Sequence, residues 1–273
     1  MQSRLPMIFI LLTVVLDSMG IGLIMPVMPD LIQSLEGGDL GQAALWGGVL
    51  ATIFAVIQFL FGPTIGSISD RFGRRPVLLI ALVVMSFDYV LMAVAGTIWL
   101  LVIGRIIGGI TAATQSTASA YMADISKPED KAANFGLIGA AFGIGFVIGP
   151  MLGGILAEYG TRAPFWAAAV LAGANGIFGY FALPETVTDR IRRPFDIKRA
   201  NPLGAFKSIT QLPDLGRFMI ISFVISLAFF VYPSVWAYFG KLQFGWGPGM
   251  IGLSLGAFGI GRASCRERVS SPV

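Results

Sequence analysis

Gly66-Ser67-Ile68-Ser69-Asp70-Arg71-Phe72-Gly73-Arg74-Arg75-Pro76 is a short, charge-dense turn between two long apolar runs. It stands out because the 273 residues are 55% hydrophobic and only 12% charged. Soluble domains carry about 25% charged residues, so this chain lacks the polar surface to stay in water. Apolar runs of about 18 residues or more recur on both sides of the turn, and a run of that length crosses a bilayer as a helix. The turn is therefore the link between two crossings of an all-α polytopic membrane protein.

A hydrocarbon core of roughly 30 Å takes about 20 helical residues. On that ruler helices are predicted near 7–29, 44–65, 76–96, 98–123, 133–157, 163–183 and 216–239, with an eighth starting near 248. Residues 1–184 then form a six-helix N-terminal bundle, and residues 215–260 begin an incomplete second bundle. Between them, 185–214 is polar and rich in Arg and Pro, and reads as a cytoplasmic linker. The stretch Ile260-Gly261-Arg262-Ala263-Ser264-Cys265-Arg266-Glu267-Arg268-Val269 looks like the translation of a sequencing adapter. An apolar helix of about 13 residues would also meet three arginines before it could span. Residues 261–273 are therefore expected to be a non-native tail, and the chain a truncated one.

Lysine and arginine set the orientation. With the N-terminus in the cytoplasm, Arg4, the arginines of the opening turn, Lys127, Lys131 and the basic linker all lie inside. Only Arg162 and Lys241 remain outside, beside the acidic Asp30, Glu36 and Asp39 of the first external loop. The positive-inside rule favours this arrangement. It also accounts for the net charge of +4 without nucleic acid. The chain has no histidine and one cysteine, so it offers no Cys/His metal site of its own and no disulfide framework. No nucleophile–base set or phosphate loop is visible, which disfavours an enzyme.

Asp17, Asp88 and Arg105 fall inside the predicted spans. Each costs at least ~2.5–3.5 kcal/mol at mid-bilayer, so such residues face a cavity or a partner. Two carboxyls against one guanidinium leave an acid able to exchange a proton; an Asp88–Arg105 pair that only locks two helices together is the plainer alternative. In the fifth helix Gly139 and Gly143 are followed by Gly145, Gly149 and Gly153, with Pro150 and Gly154 among them. Glycines four apart share a face on which two backbones can approach. Gly104 and Gly108 give the fourth helix a shorter smooth face. In the opening turn, Asp70 beside Arg71, Arg74 and Arg75 is more than a topology anchor needs. An acid near a helix C-terminus is unfavourable toward the dipole, so an ion-pair partner for it is expected, and the pair could act as a gate.

Gly66-x-x-x-Asp70-Arg71-x-Gly73-Arg74-Arg75-Pro76 resembles the loop-2/3 signature of the major facilitator superfamily. Gly145-Phe146-Val147-Ile148-Gly149-Pro150-Met151-Leu152-Gly153-Gly154 resembles the fifth-helix motif of its drug–proton antiporters, and Leu101 to Gly109 their fourth-helix motif. Asp17-Ser18-Met19-Gly20-Ile21-Gly22-Leu23-Ile24-Met25-Pro26-Val27-Met28-Pro29, with Asp88, is similar to the tetracycline–proton antiporters.

The resemblance implies a secondary transporter of the bacterial inner membrane, exporting a tetracycline chelate of a divalent cation such as Mg2+ in exchange for protons. It implies no cofactor. Asp17, Asp88 and Arg105, with Gln58 and Ser69, would serve proton coupling and the substrate path. Gly66, Asp70, Arg71, Gly73, Arg74 and Arg75 would form the cytoplasmic gate. The family has twelve helices in two halves, and its eighth-helix histidine and ninth-helix acid are missing here, so this chain alone is expected not to transport. A facilitator exporting another drug or metabolite, and a membrane fragment that transports nothing, are the alternatives.

Overall fold

The computed structural model describes residues 5–112, 114–188, 192, 201 and 215–270, and most of the expected linker and the last residues of the expected tail lie outside them. Among the described residues, seven segments are long and apolar enough to cross a membrane. Helix α1 spans Leu5–Ile24, followed by the short α2, Met28–Glu36. Helix α3 spans Leu40–Phe72 and α4 Arg74–Ala93. The fourth crossing, Ile98–Ile125, comprises α5 (Ile98–Thr111) and α6 (Thr114–Ile125). Helices α7 (Lys131–Ala157) and α8 (Ala163–Ala182) complete the N-terminal bundle. Helices α9 (Leu215–Phe244) and α10 (Pro248–Ser270) follow.

One expectation on a helix end is corrected. The first helix does not run to residue 29: it stops at Ile24, and a turn carrying Pro26 leads into α2 with Pro29 in its first turn. A proline has no N–H to donate to the helix behind it but is well placed in a first turn. α2 closes at Gly37, whose φ of 64° is a left-handed cap. The eighth helix begins at Pro248, as expected, and its backbone is helical to Ser270. Beyond residue 215 the start and extent of α9 agree with expectation to within a few residues at each end.

The outer surface of the bundle is apolar. Phe181 is 81% exposed, and Phe87, Val170, Ile177 and Phe218 are also exposed, as lipid-facing residues must be. The interior is built around α1, which packs on α7, α8 and α6 and buries more than half of its span. The core clusters around it include Phe9 of α1 itself, with Leu82, Tyr121, Met92, Leu101 and Phe165. The helix ends are tied by polar contacts. Asp39 caps α3 by accepting from the Gln42 N–H at 2.7 Å. Arg162 donates to the Ala93 and Ala95 carbonyls, at 2.9 and 2.7 Å, closing the C-terminal end of α4 with a cation. Asn175 donates to Thr13 at 3.0 Å between α8 and α1, both fully buried.

Candidate functional site

A rise of 1.5 Å per residue puts Asp17 about 18 Å along α1, Asp88 about 21 Å along α4, and Arg105 about 10 Å along α5, which enters from the other side. The three therefore share the middle of the bundle, and Tyr89 lies within electrostatic reach of all of them. Tyr89 reaches across to α1, where its hydroxyl occupies the space a Cβ on Gly20 would need. A side chain at position 20 would therefore displace the Tyr89 phenol.

Asp88 is buried, and its carboxyl rests on α5. A Cβ on Gly104 would stand 3.0 Å from Asp88 Oδ1, and one on Gly108 would stand 3.0 Å from Oδ2. The smooth face of α5 was expected to admit a neighbouring backbone; it seats a carboxyl instead. The backbone approach falls one residue further on, where the Phe54 carbonyl of α3 would lie 2.8 Å from a Cβ on Gly109.

Among the described residues, no ion pair joins Asp88 to Arg105. Arg105 donates from Nη2 to the Met92 sulfur at 2.6 Å, and its guanidinium carbon sits 5.5 Å from the Phe54 ring centre. Soft sulfur and a π-face hold the cation in place without neutralising it. Asp17 Oδ1, Asp88 Oδ1 and Arg105 Nε are buried with no hydrogen-bond partner among the described residues. Gln58 is half-buried on α3, one turn beyond Phe54 on the same helix face. Ser69 is not part of this cluster.

Ser69 belongs to the basic turn. It is fully buried, donates to the Gly66 carbonyl at 2.8 Å, and lies 3.5 Å from Arg74 Nη1. Arg74 provides the partner expected for Asp70, with Nη1 at 3.0 Å from Oδ1, and its Nε reaches Asp124 on α6 at 2.5 Å. One guanidinium thus ties the ends of α3 and α6 together. Glu185, read from sequence as the first residue of the linker, docks on the start of α4 and accepts from the Arg74 and Arg75 N–H groups, at 3.0 and 3.2 Å.

Gly73 explains how both helices fit there. Its φ of 111° suits glycine, and a Cβ would collide with the Glu185 carboxylate. Arg75 turns to the Tyr180 carbonyl at 2.8 Å and stacks over the Tyr180 ring. Arg71 is exposed and lies over Phe72, outside the ion-pair network. Gly66 has open space around it, so its lack of a side chain is not demanded by packing.

The α7 glycines divide into two sets. Among the described residues, Gly139 and Gly143 meet nothing within 4 Å, so the expected close approach does not occur there. Gly145, Gly149 and Gly153 face α1; a Cβ on Gly149 would stand 2.6 Å from the Met19 carbonyl. On another face of α7, a Cβ on Gly154 would stand 2.6 Å from the Pro248 carbonyl, and the Pro150 carbonyl occupies the space beside Gly252. α7 is therefore packed backbone to backbone against α1 on one side and α10 on the other.

Sequence reasoning missed Asp124, Glu185, Tyr89, Met92 and Phe54. Asp124 and Glu185 lie 50 and 111 residues from Arg74, and no spacing rule links them. Tyr89 and Met92 read as ordinary core residues. Asn175, a polar side chain inside an apolar run, carried a usable signal.

Residues 10–266 match the family model described as Major Facilitator Superfamily. The chain is 43% identical over 272 residues to the class C tetracycline resistance protein of Escherichia coli, covering 100% of this chain and 68% of that protein. It is 38% identical to the class G tetracycline resistance protein of Vibrio anguillarum, covering 97% of this chain and 67% of that one. It spans 62% of the class E protein of Escherichia coli. Among solved structures, the human organic anion transporter MFSD10 superposes with a TM-score of 0.73 at 24% identity, over 95% of this chain and 70% of that one. An inward-facing bacterial homolog of the lysosomal transporter Spinster gives 0.75 at 17% identity, over 94% and 60%. These two likenesses show the fold.

Proposed function

The chain belongs to the major facilitator superfamily and within it to the tetracycline resistance proteins, and we propose that it supplies the proton-coupling half of a drug–proton antiporter. The exported substrate is a tetracycline chelated to a divalent cation such as Mg2+. The N-terminus and the basic turn face the cytoplasm of a bacterial inner membrane, as the distribution of lysine and arginine supports.

The observation that carries this reading is the mid-membrane cluster. Among the described residues, Asp17 and Asp88 each hold a buried carboxyl oxygen without a donor, and the Arg105 guanidinium lies within electrostatic reach of Asp88 without contacting it as an ion pair. Ionisable groups inside a bundle mark ion and substrate pathways, and an open carboxyl oxygen can take up and release a proton. Each inward elementary charge gains about 2.3 kcal/mol per 100 mV, which supplies the driving force. At the cytoplasmic end, the Asp70–Arg74–Asp124 ties act as the gate.

The chain spans about two thirds of the length of the relatives it matches. Substrate sites of such transporters lie between two halves, so residues 1–273 by themselves are proposed not to complete the exchange cycle. The test uses membranes containing these residues. Adding tetracycline with Mg2+ is expected to release protons, and Asp17→Asn or Asp88→Asn to abolish the release. No release from the unsubstituted chain, or release that both variants retain, overturns the assignment. Net drug efflux from cells expressing residues 1–273 would overturn only the proposed inactivity.

A further inference from the structure

At the end of the bundle opposite the basic turn, polar contacts join α9 to the N-terminal bundle. Lys241, in the last turn of α9, donates from Nζ to the Asp30 carboxylate and, at 2.5 Å, to Gln33 Oε1. Asp30 and Gln33 are three residues apart on α2 and so share a face, while Pro29, Leu31 and Ile32 bury the rest of α2 in the N-terminal core. Three residues before Lys241, the Tyr238 phenol fills the space beside Gly47 near the start of α3.

These contacts differ in kind from the α7–α10 seam. The seam is apolar backbone packing, whereas Lys241 and Asp30 keep 28% and 29% of their side chains exposed. A half-exposed pair contributes modestly and is screened by salt, so it breaks and re-forms easily. A contact that must open once per cycle needs this property. A fully buried pair would resist opening, because each charge would be left uncompensated.

We propose that Lys241, with Asp30 and Gln33 of α2 as its acceptors, is an external gate that closes the outer mouth between the two halves. The short helix α2 acts as its latch plate. Alternating access opens one end of such a molecule while the other is shut, and Lys241 is placed to shut the end opposite the basic turn. The assignment of an external side rests on the function proposed above.

The test uses the 273-residue chain in membranes, with Cys265→Ser to remove its single thiol and Ala237→Cys as a reporter. Ala237 is buried on α9 against Ile251 and Leu255, with Met25 of the N-terminal bundle packed on the same cluster. A membrane-impermeant maleimide is applied from the external side. Lys241→Glu and Asp30→Lys are each expected to raise the labelling rate about two- to fivefold, the shift an exposed ion pair can supply. The double variant Asp30→Lys/Lys241→Glu is expected to restore the low rate. Unchanged rates in the single variants, or no recovery in the double, overturn the gate.

Should a charge reversal prevent folding, Asp30→Cys/Lys241→Cys decides. Oxidation is expected to hold the two halves together on a non-reducing gel after cleavage at a protease site placed within 193–200; separation overturns the proposal. Neither readout needs tetracycline or proton flow. A failed gate therefore leaves the transport reading standing, and failed proton release leaves the gate standing.

Discussion

Arg74 Nε lies 2.5 Å from Asp124 Oδ2, so a residue at the start of α4 fastens the end of α6 while its Nη1 holds Asp70 and reaches Ser69. The basic turn is thus a cross-helix clamp, and its strength can be read at the residue beneath it. Ser69→Cys, fully buried in the closed clamp, is expected to react slowly with a maleimide applied from the basic side. Asp124→Asn should raise that rate by about fivefold, the upper range for a partly exposed ion pair. Arg74→Ala should raise it further, because both carboxylates then lose their partner.

Glu185 closes the N-terminus of α4 on two backbone N–H groups. Glu185→Ala is expected to cost about 1–2 kcal/mol, the loss of a strong cap. Glu185→Gln keeps an acceptor and loses only the charge toward the helix dipole, about 0.3–1 kcal/mol. Unfolding in mixed micelles titrated with a denaturing detergent measures both. Equal losses from the two substitutions would show that the charge alone matters.

The two glycine sets of α7 predict opposite outcomes for the same substitution. At Gly153 a side chain meets the Leu23 carbonyl, whereas Gly139 faces open space. Gly153→Leu is expected to destabilise by about 1–3 kcal/mol or more through overpacking. Gly139→Leu is expected to stay within about 0.5 kcal/mol. The same micellar unfolding experiment compares them.

Arg105 depends on the Met92 sulfur for its polar contact. Met92→Leu conserves volume, which by itself costs little, but it strips the cation of its acceptor. A loss of about 0.5–1.5 kcal/mol is expected, seen as a lower thermal midpoint in detergent. In an Arg105→Met background the same substitution should cost nearly nothing, because the interaction is already gone.

The crossings were legible because composition leaves a chain of this kind no other way to satisfy its backbone. A run such as α7 must be a helix in lipid wherever it packs. The break after Ile24 was harder to place, because Pro26 and Pro29 stand in an apolar run that reads as continuous on hydropathy alone. Likewise Gly104 and Gly108 were recognisable as a smooth face, but a smooth face admits either a backbone or a side chain. Only the neighbouring helix, with Asp88 on it, decides between them.

The amino-acid sequence by itself determined the class of molecule, the number and place of its crossings, the basic turn, and the intramembrane residues Asp17, Asp88 and Arg105. Each follows from local properties: length of apolar run, charge beside it, and the cost of a charge in lipid. The tertiary structure decided the partners. That Arg74 finds Asp124 and Glu185, that Arg105 rests on Met92 and Phe54 instead of pairing with Asp88, and that Lys241 reaches Asp30 are contacts between distant stretches. They are set by which helices pack side by side, and helices that are apolar all round carry no periodicity from which their neighbours can be read.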